Sequence, residues 1–526
     1  MKKRKKLSLF GIILGILLII MTISLIVLIN TFNVIPDNYY ILIIVFLISS
    51  NIILNLLLMF NFKNKFLKVM HIISYVITML LLISFSFGIF YLNKTMNLFD
   101  NFNVIKEEVT DYYIIVLNDS VYQEPSDLYE KTLEYYDKTD KEVLDSIKLS
   151  LTYSSTSDIN SLKDNLFNHK VESILISDII KNKYEEEDST FNEKIRVLKT
   201  ISIKNEIEDI TKRVSIKNTP YNLLISGIDT YGDINKTSRN DVNIVATINP
   251  NTNQILLTSI PRDYYVKLHG TEGYNDKLTH ASYYGINMQV QTIEDIFDID
   301  INYYVKVNFS TVVDLVDKIG GIEVYADQYV KLGGCPEINV GMNKLNGKCA
   351  LAFSRERHSY IDGDRHRGRN QQEVIKAIFN KLSSGTTILT SYTDIIDSLD
   401  GKFATNMDME EVTSFIKYEL NDLKNYKIIS TQVDGYGSMG PTYSYPSQDL
   451  WIMIPYPETI NNAKETLAKV KKGEVLDSSY NYTSSTVNEV NIIQPKKEEP
   501  KQETKTESEV KSDTKTETSE KTEITE

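Results

Sequence analysis

YNLLISGIDTYGDINKTSRNDVNIVATINPNTNQILLTSIPRD, Tyr221–Asp263, contains three apolar, β-branched runs: Asn222–Ile228, Asp241–Ile248 and Ile255–Ile260. Short runs of this kind, broken by Asn, Pro and Gly, read as strands, and NPNTNQ between the last two reads as a hairpin turn. Charges sit at the run ends: Asp229 closes the first, Arg239 and Asp241 open the second, and Arg262 closes the third. If the first two strands pair antiparallel, both carboxylates reach one rim of the sheet, close enough to share a cation. Either aspartate taken alone fits turn capping equally well.

Further along, SRERHSYIDGDRHRGRNQQ, Ser354–Gln372, packs Arg355, Arg357, Arg365, Arg367 and Arg369 into a short stretch of a chain whose net charge is -13. A guanidinium is planar, permanently charged and forks onto two oxygens, so such a cluster suits phosphate or pyrophosphate. A solvated charged surface is the bland alternative for any one arginine run. Carboxylates for a hard cation beside arginines for an anion point instead to metal-assisted phosphoryl chemistry. Helical periodicity appears at Asn287–Phe297, Ser310–Ile319, Gly347–Arg355 and Gln371–Leu382, and Gly320 and Gly321 end one helix and launch the strand IEVYA. The apolar face Leu345, Ala350, Leu351, Phe353 is expected to dock on the sheet, and an extended chain after it would point Arg355 and Arg357 to one side. KIISTQV and a helix near Glu458–Val470 complete the domain. The expected fold class is α/β, a mixed sheet covered by helices.

Upstream, three apolar segments fill the first 92 residues: about Leu7–Ile29, Tyr40–Phe60 and Val69–Tyr91. Each is long enough to cross a hydrocarbon core of roughly 30 Å. Lys2, Lys3, Arg4, Lys5 and Lys6 precede the first, and Lys63, Lys65 and Lys68 lie between the second and third. The positive-inside bias therefore predicts a multi-pass cell-membrane protein with a cytoplasmic N-terminus and a large extracellular part. Asn51 and Asn55, one turn apart, are expected to face a neighbouring span. Residues 93–215 alternate strand-like runs (YYIIVLND, VESILIS) with helical-looking ones (SDLYEKTLEYYDK, DINSLKDNLFN) and read as a small accessory α/β domain. Residues 216–472 form the main domain, and 473–526 read as a disordered tail of Lys, Glu, Thr and Ser. Cys335 and Cys349 form either a disulfide, favoured by the extracellular compartment, or two separate thiols. Acidic charge, this topology and the lack of a basic recognition helix exclude direct nucleic-acid binding.

GID, SRND, SIPRD, NDKLTHASYYG, DKIGGIEV, LNGKCALAFSRER and GDRHRGRNQQ, in that order between Tyr221 and Leu382, resemble the LytR-CpsA-Psr family of membrane-bound Gram-positive envelope enzymes, in particular its three-span, capsule-associated members. The resemblance implies that Asp229 and Asp241 are metal ligands, for Mg2+ or alternatively Mn2+. It assigns pyrophosphate binding to Arg262, Arg355, Arg357 and Arg367, supported by Arg239, Lys277 and Gln371, and the transfer step to Asp241, Arg262, Arg355, Arg357 and Arg367. Arg365 and Arg369 are read as surface charges, and Asp364 as a residue that orients an arginine. His280, His358 and His366 are not required as bases. The implied reaction moves a glycan polymer (capsule, wall teichoic acid or related) from a polyisoprenyl-pyrophosphate carrier to a peptidoglycan hydroxyl, the C6 hydroxyl of N-acetylmuramic acid. A non-catalytic glycolipid-binding or regulatory protein is the alternative, and a prenyl-pyrophosphate hydrolase would use the same site with water.

Overall fold

The computed structural model describes residues 8–32, 35, 37–59, 65–101, 107–229, 233–383, 394, 395, 398, 401–408, 410–412, 414 and 426–477. Helices α1 (Leu9–Phe32), α2 (Asp37–Met59) and α3 (Lys65–Asn101) open the chain. Each carries a stretch long and apolar enough to cross a membrane. Their outward faces expose Ile13, Leu42, Ile72 and many similar side chains, an arrangement suited to lipid and not to water. Asn51 turns inward, its Nδ2 donating to Thr22 Oγ1 at 2.8 Å, and Asn55 Nδ2 donates to Asn51 Oδ1 at 2.9 Å. Internal pairing of this kind is what a polar group in hydrocarbon requires.

The accessory region is a five-stranded sheet of β1 (Glu107–Leu117), β2 (Thr132–Tyr136), β3 (Thr152–Thr156), β4 (Ser173–Ser177) and β5 (Ile195–Glu206), in the order β3-β2-β4-β1-β5. Alternation along its strands divides the side chains between two cores. Ile115, Ile174 and Ile176 pack with α5 (Ile159–Phe167) and α6 (Asp178–Glu187), whereas Ile114, Val116 and Leu175 pack with α4 (Lys141–Ser146). The short α7 (Phe191–Lys194) leads into β5. One expectation fails here: TLEYY, read as helix, is strand β2, because Leu133 and the two tyrosines pack on a sheet whose neighbours lie far away in sequence.

The main domain runs β6 (Tyr221–Ile228), β7 (Asn240–Asn249), β8 (Gln254–Ile260), β9 (Tyr265–Val266), β10 (Asp276–Lys277), α8 (Leu278–Ala281), α9 (Ile286–Phe297), β11 (Tyr303–Val307) and α10 (Phe309–Lys318). It continues with β12 (Ile322–Ala326), β13 (Gly341–Leu345), α11 (Gly347–Arg355), α12 (Asp364–Ser383), β14 (Phe403–Thr405), β15 (Lys427–Gln432), β16 (Gly435–Gly440), β17 (Leu450–Pro455) and α13 (Pro457–Lys471). Six strands make a mixed sheet, β14-β11-β6-β7-β8-β15; β6-β7-β8 is antiparallel, and β11 and β15 add in parallel. Val290 and Ile293 of α9 and Leu467 of α13 cover one face, and Ile375 and Phe379 of α12 cover the other. After α13 the chain stays docked on β8: Leu476 N donates to Gln254 Oε1 at 2.8 Å. The remainder of the tail lies outside the described residues.

Two expectations are corrected. The apolar face of α11 docks not on the sheet but in a separate core with α10, α12 and the β12–β13 ribbon, where Phe353, Ala350 and Cys349 meet Val316, Val324 and Val374. The helix expected from Gln371 starts at Asp364, because its first turns are polar residues that tertiary contacts, not apolar periodicity, hold in place. Gly320 and Gly321 do turn the chain from α10 into β12, with φ of +78° and +83° that L side chains rarely adopt. Cys335 and Cys349 are joined in a disulfide that ties the loop after β12 to the start of α11.

Candidate active site

The antiparallel pairing of β6 with β7 brings the two aspartates together. Its register shifts at Gly227/Ile228, immediately before Asp229, and a Cβ on Gly227 would lie 2.7 Å from the Val242 side chain. Such an irregularity beside a functional residue re-aims the side chain that follows. Asp229 N donates to Arg239 O at 3.0 Å, so that Asp229, Arg239 and Asp241 share one rim. Arg262 arrives from the end of β8, Arg355 from the end of α11, and Arg367 from the first turn of α12.

These groups line a cleft of about 480 Å³ with Arg357, His358, Glu356 and Lys348. Arg262 Nη1 donates to Asp241 Oδ1 at 2.7 Å, and Arg367 Nη1 stands 3.9 Å from Asp241 Oδ2. Arg239 Nη2 donates to Asp229 Oδ2 at 3.2 Å, and Arg355 Nη2 lies 3.6 Å from Asp229 Oδ1. Arg367 is also held by Asp364 at 2.8 Å, which gives Asp364 the orienting role expected of it. Arg355 stacks on the Phe309 ring at 4.2 Å and is about half exposed, its side chain retaining 48% accessibility. It is thus the arginine with most freedom to move onto a ligand.

Burial works against the charge of Asp241, but Arg262 and Arg367 outweigh it and hold the carboxyl below its usual range. Asp229 goes the other way: burial first, and then the Asp241 charge, lift it above the usual range. Two facing carboxylates of which one resists ionisation form a pair that a cation would relieve. The donor set fits magnesium, which takes a few carboxylates and completes its shell with phosphate oxygens and water. Among the described residues no group of three His, Cys, Asp or Glu side chains joins to make a full protein cage.

Of the remaining expected residues, Gln371 is buried behind the rim, its Nε2 3.5 Å from the Asp241 carbonyl, and lines a small recess with Asp364 and Arg367. Lys277 does not line the cleft; its Nζ binds Asp263 Oδ1 at 2.5 Å, and Asp263 in turn meets Arg262. Lys277 therefore supports Arg262 from behind. Arg365 and Arg369 are not loose surface charges. Arg365 binds Asp434 and the Gly435 carbonyl, and Arg369 binds Asp362, so both anchor α12. His280 is buried on Asp276 and His366 between Asp327 and Asp362, which leaves His358 as the one histidine of these three on the cleft. Lys348 went unnoticed in the sequence. Its signal was present, since Lys348, Ala352 and Arg355 follow the spacing of one helix face.

Comparison with known proteins bears on the same residues: the LytR_cpsA_psr family description matches 183–453, more than half of the chain. The chain belongs to the LytR-CpsA-Psr family. The match reaches back into the last helices and strand of the accessory region as well as across the whole cleft. The polyisoprenyl-teichoic acid–peptidoglycan teichoic acid transferase TagU of Bacillus mycoides is 32% identical over 265 residues, covering 50% of this chain and 84% of the relative. The TagU of Enterococcus faecalis is 33% identical over 259 residues, covering 48% and 83%. Among solved structures, Bacillus subtilis TagV is 26% identical with a TM-score of 0.40, covering 50% of this chain and all of that one.

Proposed function

We propose that this protein is a membrane-anchored phosphotransferase that moves a glycan polymer from a polyisoprenyl-pyrophosphate carrier to peptidoglycan. Relatives named as teichoic acid transferases support the transferase class and the donor and acceptor. The observation that carries the chemistry is the cleft itself, in which Arg239, Arg262, Arg355, Arg357, Arg367 and Lys348 surround Asp229 and Asp241. Cations in that excess over carboxylates suit a pyrophosphate. The lysines flanking the spans favour placing this domain outside the cell, where the acceptor is.

In this reading Arg262 and Arg367, fixed by Asp241 and Asp364, are donors already in place where charge grows on the phosphate oxygens. Arg355, at the end of α11, and Arg357, just beyond it, close over the carrier. The acceptor hydroxyl oxygen forms the new P–O bond, the bond to the prenyl-phosphate oxygen breaks, and the hydroxyl proton passes to solvent. Mg2+ held by Asp229 and Asp241 would offset charge on the nonbridging oxygens.

The test uses full-length protein in detergent, a polyisoprenyl-pyrophosphate glycan and peptidoglycan oligomers. The expected result is polymer attached to peptidoglycan with release of prenyl monophosphate, and about a tenfold to hundredfold weaker carrier affinity in Arg355→Ala, the scale for losing a charge-assisted contact. Carrier binding without transfer to any wall acceptor would make the protein a glycolipid-binding module. Failure to bind the carrier would remove the proposal.

A further inference from the structure

A second cavity, of about 590 Å³, lies where the accessory sheet meets the main domain, away from the arginines. Its size falls within the roughly 300–1,000 Å³ of small-ligand sites, and domain junctions are where such sites concentrate. Tyr112 and Tyr136 form one wall from the accessory side, and Tyr284 forms the other from the main domain. The floor is rigid. Tyr283 stacks on His280 with ring centroids 5.0 Å apart, Tyr445 meets the same histidine edge-on, and Asp276 holds His280 at 2.6 Å. Tyr284 Oη and Ser444 Oγ are 3.0 Å apart, and Lys138 Nζ stands 6.0 Å over the Tyr136 ring at the rim.

The lining discriminates among ligands. Its charged side chains are Glu108, Asp140, Glu206 and Glu208 against the single cation Lys138, and Glu108 is already engaged by Lys306 at 3.0 Å. An anionic polymer would meet uncompensated carboxylates. A lipid tail would find Ile159, Ile179, Ile180 and Ile207, but it would also meet phenol, carboxylate and amide groups on the same walls, each losing water without a partner. What suits flat aromatic rings edged with hydroxyl, amide and carboxylate groups is a molecule with apolar C–H faces and a polar rim, which describes a sugar ring. Burial pushes the Tyr112 phenol up to about 12, so its hydroxyl stays neutral and able to donate.

We propose that this cavity is a saccharide site for a neutral or amine-bearing oligosaccharide, separate from the pyrophosphate cleft. Its wall is continuous with that cleft along the chain. Accessory strand β1 grips residues 235–237: Val109 N donates to Asn235 O and Thr237 N to Val109 O, both at 3.0 Å, and the Thr110 and Thr237 hydroxyls lie 3.1 Å apart. Thr237 lines the cavity, and two residues later Arg239 lines the arginine cleft. An oligosaccharide held here therefore lies beside the segment that carries Arg239 and Asp241.

The experiment titrates full-length protein in detergent with soluble oligomers of glucose, N-acetylglucosamine and glucosamine, with inorganic pyrophosphate as the anionic probe. At least one oligomer is expected to saturate, with saturation transfer to its ring protons in NMR. Tyr136→Ala and Tyr284→Ala should each weaken it about tenfold, the scale of one aromatic contact. Arg355→Ala should leave it unchanged while weakening pyrophosphate. Should the alanine variants misfold, Tyr136→Phe and Tyr284→Phe keep the rings and are expected to lose affinity a few-fold. The proposal is overturned if no oligomer saturates wild type, if pyrophosphate displaces the oligomer, or if binding is the same in a folded Tyr136/Tyr284 double variant.

Discussion

Two charged regions of this molecule, the arginine cleft and the seam between the accessory and main domains, use the same residue types to opposite ends. Two ion pairs bridge the seam one to one: Lys306 with Glu108, which also accepts from Ile286 N, and Lys236 with Asp111 at 2.7 Å. In the cleft, Arg239, Arg262, Lys348, Arg355, Arg357 and Arg367 outnumber Asp229, Asp241 and Glu356. A balanced buried pair completes its own electrostatics and holds structure together. An unbalanced one has attraction left over for an anion from outside. The difference between a structural and a functional ionic cluster is thus the local sum of charge, not burial or pair distance.

The seam offers the largest expected effect. Glu108 and Lys306 are 4% and 3% exposed, so Lys306→Met should strand the carboxylate and cost about 3–5 kcal/mol. Adding Glu108→Gln should recover much of that, because the amide still serves Ile286 N and no charge remains. Denaturant unfolding of both variants checks this, and a single variant as stable as wild type would show that the seam is not held by the pair.

In the cleft the corresponding change should spare stability relative to chemistry. Asp241→Asn keeps shape but weakens the hold on Arg262 and on any cation, and should slow transfer about 10²–10³-fold while carrier binding largely persists. Rates measured with and without EDTA, alongside carrier binding, test it. Equal losses of binding and rate would return Asp241 to a purely structural role.

A third effect concerns pH. Burial raises the Asp178 carboxyl, at the start of α6, to about 7 from an ordinary 3.8. Its folded form holds the proton that its unfolded form releases, so its contribution to stability falls as pH rises from about 4 to about 7 and is flat above. Asp178→Asn should therefore raise the melting temperature above pH 7, with a gain that shrinks steadily towards pH 4. A gain that does not change with pH would place the charge elsewhere.

Much of the cleft could be read in the sequence, because strand ends announce themselves. Asp229, Arg239, Asp241 and Arg262 each bound an apolar run, and the antiparallel pairing on which the shared rim depended is the one that forms. The first turns of α12 were illegible, since Asp364, Arg365 and Arg367 are helical through contacts to Asp241, Asp434 and Gly435. Nor could periodicity tell that Lys277 stands behind Arg262, or that TLEYY pairs with strands on both sides.

By itself the sequence determined the spans, the inward amides, the strands of the main sheet and the kinds of charge available, all of which depend on near neighbours and on the transfer of side chains out of water. Only the tertiary structure decided which charges meet. Gln371 reaches Asp241 across 130 residues, and β1 grips the loop between the two aspartates across a similar distance in the chain. The physical reason is that Coulomb attraction and hydrogen bonding act through space over a few ångströms, so their sum at a site exists only once the chain has folded.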